Sequence, residues 1–313
     1  MSEISQGLEC SKISISLVKL MQLATELQEK YPEAMGILDI TGVSPFGSWE
    51  MMNPYTKEAD FEDFSNVGRH CVAVAYAANR IADALWIPDE QKDAIITSAI
   101  LHDGDKRIEV MRKKAKKAWG EIDVYWEEWY KTIETLFSDK GLDPRVFATI
   151  QSMGGMTGHN SLKKFLIMKD RKIQLNPERT LAEMIVHIAD DMTHSSSGEG
   201  GEVTQYVSFN TRASLSKFPE KYGFLWQEGF AVSEDNGIQE IRDITWIQWD
   251  TVKHFYDWQA QVFEMICEYI QNQMDPTSQI DSVEFLLGIV NVQSTKNLVE
   301  SITDKVDKNL PVV

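Results

Sequence analysis

His102 and Asp103 close an apolar run, Ala94-Ile95-Ile96-Thr97-Ser98-Ala99-Ile100-Leu101, and are followed by Gly104-Asp105-Lys106. An imidazole and a carboxylate at the end of an oily helical stretch are costly to bury unless something binds them, and a divalent cation uses both ligand types at once. Two further residues of these types lie on apolar segments elsewhere, His70 upstream and Asp190 downstream. A cation held by His and carboxylate ligands with open positions brings the pKa of a water toward neutrality, to roughly 7 in the best zinc cases, so that hydroxide becomes available as a nucleophile.

The elements that must position these groups are legible as helices. Between Asn66 and Leu85, the residues Val67, Cys71, Val74, Ala78, Ile81 and Leu85 recur at steps of three and four, and His70 sits beside that stripe, facing inward. The segment Leu181-Ala182-Glu183-Met184-Ile185-Val186-His187-Ile188-Ala189-Asp190-Asp191-Met192 is apolar on most sides. Asp190 shares a face there with Ala182, Val186 and Ala189, so it too points at protein.

The order His, His-Asp, Asp, with the strings Arg69-His70, Ile100-Leu101-His102-Asp103-Gly104-Asp105-Lys106 and Ile188-Ala189-Asp190-Asp191, resembles the HD-domain metal-dependent phosphohydrolase superfamily over roughly Phe61 to Thr193. The resemblance implies an all-α, HD-domain-like helical bundle. It further implies one divalent metal ion (Mn, Mg, Co, Ni, Zn or Fe) ligated by His70, His102, Asp103 and Asp190. Asp190 is chosen over its rival Asp191 because the family's last Asp usually follows a small residue, here Ala189. Members with a dinuclear centre add two histidines before the last Asp. Only His159 and His187 fall in that interval, so the dinuclear pattern is incomplete and one cation is expected. His159, in Thr157-Gly158-His159-Asn160, reads as a ligand or a substrate-binding donor, and His187, one turn before Asp190, as a hydrogen-bond partner of Asp190.

The implied reaction is hydrolysis of a small phosphorylated compound, with a nucleotide as the favoured substrate. Asp103 would ligate and also orient the attacking water. Lys106 stands where several nucleotide-hydrolysing branches carry Glu, so it would instead hold a phosphate oxygen and stabilise developing charge. Arg69, beside His70, is a second phosphate-binding candidate. Two other readings stay open: a regulatory module whose HD-like pocket senses a nucleotide without turnover, and a di-iron oxygenase of the same fold, which needs the missing ligands. No GxxxxGK[ST] loop, HExxH or CxxC competes.

A formal net charge of −17 argues against general nucleic-acid binding, which needs clustered Lys and Arg. The one dense basic stretch runs from Lys106 to Lys117, read first as a solvated helix face and second as a means of drawing in anionic phosphate. No apolar run approaches the ~18 residues of a membrane span, and the first ten residues lack the basic-then-apolar pattern of a signal peptide. Cys10, Cys71 and Cys267 are an odd, widely spaced set that suggests reduced thiols. A cytoplasmic location follows as the expectation; homo-oligomerisation is left open.

With 313 residues, the chain can bury a sizeable core. Its expected organisation is an N-terminal helical extension and loop over 1–60, an HD-like catalytic domain with an insertion over 61–275, and a C-terminal helical tail over 276–313. Within these, helices are expected from Ile13 to Lys30, from Ala118 to Phe137 with Trp126, Trp129, Tyr130, Ile133 and Phe137 in its core stripe, after Leu142-Asp143-Pro144, and from Thr251 to Gln273. Gly36 to Glu62 reads as loop, Ser195 to Glu202 as a polar connector or lid, and Ile238 to Trp249 as a short β-hairpin.

Overall fold

A computed structural model of the chain describes residues 14–47, 49–53, 56–111, 124–153, 165–169, 172–198, 201–217 and 252–291. Described residues are mostly helical, with a few short strands. The helices are α1 (Leu17–Lys30), α2 (Pro32–Thr41), α3 (Ser65–Ala84), α4 (Asp89–Leu101), α5 (Val124–Asp139), α6 (Pro144–Met153), α7 (Leu181–Met192), α8 (Phe209–Leu215), α9 (Val252–Met274) and α10 (Ser282–Asn291). The strands β1 (Ser14–Ser16), β7 (Gly201–Tyr206) and β6 (Thr193–Gly198) form one antiparallel sheet in that order. Two hairpins, β2 (Met51–Met52) with β3 (Ala59–Asp60) and β4 (Leu166–Lys169) with β5 (Lys172–Leu175), complete the set.

At the centre lies α3, on which α4 and α7 both pack while also touching each other. Its expected stripe is buried, Cys71, Val74, Ala78 and Ile81 fully and Val67 and Leu85 in part. Burial goes beyond a stripe, since Val72, Ala73, Ala75 and Ala77 are also enclosed, which small side chains permit on every face of a central helix. Gly68 lets the loop after α2 lie directly on α3: a Cβ there would meet Val43 O at 2.0 Å and Pro45 N at 2.5 Å.

Several expectations are corrected. The first helix begins at Leu17, not Ile13, because Ser16 caps it by accepting from Lys19 N while Ser14–Ser16 pair with β7 as a strand. The stretch from Gly36 is not loop throughout: Pro32 opens α2 from its first turn, Met35, Ile37 and Leu38 are buried, and Gly42, at φ 76°, closes it in the left-handed conformation. Within the stretch read as a connector or lid, the described residues 195–198 and 201–202 are strand, paired across β6 and β7, and Ser195 Oγ and Thr204 Oγ1 bond at 2.8 Å. The expected hairpin at 238–249 lies outside the described residues. So do the aromatic side chains of Trp126, Trp129 and Tyr130, whereas Ile133 and Phe137 of the same stripe are buried.

Arg107 corrects the reading of the basic stretch as a solvated face. It is fully buried, with Nη1 donating to Trp49 O (2.8 Å) and Gly42 O (3.3 Å) and Nη2 to Asp60 O (2.8 Å) and Asp60 Oδ1 (3.1 Å). A guanidinium can be enclosed when carbonyls and a carboxylate take its protons. The remainder of the run, 112–117, lies outside the described residues. Cys71 and Cys267 are buried free thiols, and no helix among the described residues is long and apolar enough to cross a membrane.

Candidate metal centre

Three helices deliver the candidate ligands. His70 projects from α3 toward α7, where its Nε2 lies 2.9 Å from Asp190 Oδ1. Helix α4 ends at Leu101, and the chain then turns over 102–105 before resuming as a helix over 106–111. His102 stands on that break with its ring fixed, Nδ1 lying 2.8 Å from Ala99 O. Helix α7 is held at its start by a capping box between Thr180 and Glu183 and at its end by Thr193, whose hydroxyl donates to Ala189 O at 2.6 Å. Asp190 occupies the last turn of that helix, braced from both sides.

His70, His102 and Asp190 each offer one ligand atom, and these atoms lie within 4.8 Å of one another. The two imidazole rings meet edge-on, 5.4 Å between centroids. Because a carbonyl can only accept, His102 Nδ1 must donate to Ala99, which leaves the Nε2 lone pair of the neutral ring pointing into the cluster. That Nε2 is buried without a hydrogen-bond partner. The nearest carboxylate oxygens are Asp190 Oδ1 at 3.8 Å and Asp103 Oδ2 at 3.9 Å, too far for a hydrogen bond. An orphaned lone pair beside a second imidazole and a carboxylate is a donor set that fits a cation, and the cluster could hold a metal ion.

The charges agree. Burial opposes ionisation of Asp190, but Arg212, His70 and His102 outweigh it and hold the carboxyl well below the usual range. Burial likewise opposes a charge on His102, yet Cys71, Asp103 and Asp190 raise its pKa to about 10. The pocket therefore calls for positive charge at Nε2, an atom with no hydrogen bond of good geometry. Asp103, pulled down by Lys106 and His102 against burial, supplies a further negative charge at the edge of the cluster.

The two adjacent aspartates part company. Asp190 faces the histidines, whereas Asp191 Oδ2 lies 3.3 Å from His187 Nε2, and burial raises its pKa. His187 thus pairs with Asp191 and not, as its position one turn before Asp190 suggested, with Asp190; its ring stacks on Phe165 at 4.7 Å. Of the expected phosphate-binding residues, Lys106 lies 3.0 Å from Glu109, and Arg69 donates to Glu202 (2.7 Å) and Ser65 Oγ (2.8 Å). His159 lies outside the described residues.

Sequence reasoning missed Arg212. From α8 it bridges both aspartates, Nη2 to Asp190 Oδ1 and Nη1 to Asp191 Oδ1, each at 3.2 Å. The only available signal was a capped helix start, Ser208 accepting from Thr211 N, in a stretch without apolar periodicity. In comparisons with protein-family models, curated proteins and solved structures, nothing matches this chain.

Proposed function

We propose that this chain is a metal-dependent phosphohydrolase of the HD-domain kind, acting on a small phosphorylated compound, with a nucleotide as the favoured substrate class. The observation that carries the reading is His102, whose Nδ1 is committed to Ala99 O and whose Nε2 is buried, unpartnered and turned to His70 and Asp190. His70, His102 and Asp190 would hold the cation, with Asp103 as the fourth ligand. A divalent cation so held acts as a Lewis acid, polarising a phosphoryl oxygen and acidifying water.

The remaining work falls to this chain's own side chains. Ala99 O fixes the His102 ring, so its lone pair needs no reorientation when a cation arrives. Asp103, ionised and partly open to solvent, is placed to accept a proton from, and orient, an attacking water. Lys106, half-exposed and three residues on, can exchange its contact with Glu109 for a phosphate oxygen.

The test is metal analysis followed by a screen of nucleotides and sugar phosphates against Mn, Co, Ni, Zn and Mg, read as released phosphate. One bound metal and metal-dependent release, both abolished by His102→Ala, are expected. A protein that takes up no divalent metal, or a His102→Ala variant that still releases phosphate, would sink the reading. One metal without turnover on any compound would move the protein to the sensing class, and two irons to the oxygenase class.

A further inference from the structure

Asp190 Oδ1 bonds two nitrogens and lies near a third. His70 Nε2 lies 2.9 Å away, Arg212 Nη2 3.2 Å and His102 Nε2 3.8 Å. An oxygen that ligates a cation at about 2.0 to 2.2 Å has a lone pair committed to it, and a guanidinium on the same oxygen is repelled by the added charge. A cation bound through that atom therefore weakens its hold on Arg212. Asp191 is under no such conflict. It is held from behind by His187 at 3.3 Å, whose ring is stacked on Phe165, and it keeps the other arm of Arg212 at 3.2 Å. One arm of the fork is thus exposed to competition, and the other is anchored on a carboxylate outside the ligand cluster.

Resting on the metal reading above, we propose that Arg212 is a second phosphate-binding cation of this site, in addition to Lys106. In the metal-free protein its Nη2 arm rests on Asp190. In the loaded protein Asp191 retains the guanidinium beside the ligands, and the arm displaced from Asp190 turns to a phosphoryl oxygen. A guanidinium suits this exchange because its planar fork can keep a carboxylate on one edge while donating to an oxyanion from the other. Its charge persists at any pH at which the protein is folded. The substrate class it selects is an oxyanion ester small enough to reach a side chain that is 16% exposed.

Isothermal titration of the full chain tests this, with Mn²⁺ added first and inorganic phosphate second. Wild-type protein is expected to bind Mn²⁺ and then to bind phosphate more tightly than the EDTA-treated protein does. Arg212→Gln should keep the Mn²⁺ stoichiometry and lose about tenfold or more in phosphate affinity, since a charge-assisted donor is gone. Arg212→Lys, which keeps the charge and lacks the fork, should fall between the two and carries the test if the glutamine variant does not fold. Linkage adds a second readout: phosphate should tighten wild-type Mn²⁺ binding by the factor by which Mn²⁺ tightens phosphate, and that coupling should shrink in both variants. Unchanged phosphate affinity in the variants overturns the proposal. So does loss of Mn²⁺ together with phosphate in both, which would make Arg212 a brace for Asp190. A wild-type protein that binds no Mn²⁺ removes the metal reading itself, an outcome distinct from either.

Discussion

An ionisable side chain near a cluster of its own charge sign reports what the folded state tolerates, and Asp105 is such a group. Burial first, then Asp103 and Glu109, push its carboxyl up to about 6 from the ordinary 3.8. The folded chain therefore holds this proton more tightly than the unfolded chain. Its contribution to stability is intact below the unfolded value and is lost as pH rises toward the folded one. In EDTA-treated protein, Asp105→Asn is expected to raise the melting temperature near pH 7.5 and to leave it unchanged near pH 4, because only the ionised carboxylate is relieved. Equal shifts at both pH values would show that the charge is not the cause. Residues of this kind were only partly legible in the sequence. His70, His102, Asp103 and Asp190 stood out because imidazoles and carboxylates are conspicuous on apolar helices. Arg212 did not, since its value comes from a through-space approach of α8 to α7 that no local spacing encodes.

Elements position those groups, and the approach of the 43–45 loop to α3 is the tightest constraint on them. A Cβ at Gly68 would lie 2.0 Å from Val43 O and 2.7 Å from Ser44 C, backbone atoms that cannot step aside as a flexible side chain would. Gly68→Ala should cost about 3 kcal/mol by forcing helix and loop apart. Urea unfolding with an unchanged m-value would measure it, and a loss within ~0.5 kcal/mol would mean that the loop yields freely. The displaced helix carries His70 two residues on, so cation affinity should fall along with stability. At this scale α3 was readable because its apolar residues repeat at helical spacing, and α4 and α7 because each carries a long apolar run. The β6–β7 hairpin was not. Its serines and glycines look like linker chemistry, and it is the pairing of β6 with β7, and of β7 with β1 from near the other end of the chain, that makes them strands. Helix α2 was hidden for a related reason: Pro32 stands just past the end of α1, where proline stops a helix, and is also a favoured first residue of the next one.

Over the whole molecule, the excess of acidic residues raises a question that the local site answers. A chain of net charge −17 attracts divalent cations everywhere on its surface, so cation uptake alone does not locate a centre. Diffuse attraction weakens as salt shortens the Debye length from ~10 Å at 0.1 M to ~3 Å at 1 M, whereas ligation by buried nitrogen and carboxylate oxygen persists. A cation bound only by the native state also stabilises folding, by about 2.7 kcal/mol when its concentration is a hundredfold above Kd. For a chain of this size that is a rise of roughly 4 °C in melting temperature. Wild-type protein loaded with Mn²⁺ is therefore expected to melt several degrees above its EDTA-treated form, at low and at high salt alike. His102→Ala should lose the increment at high salt and retain only a small salt-sensitive one, because it lacks the cluster's buried, unpartnered Nε2. If instead the wild-type increment vanishes at high salt, or His102→Ala keeps all of it, the cation is held by surface charge and the cluster of His70, His102 and Asp190 is a polar core that binds no metal.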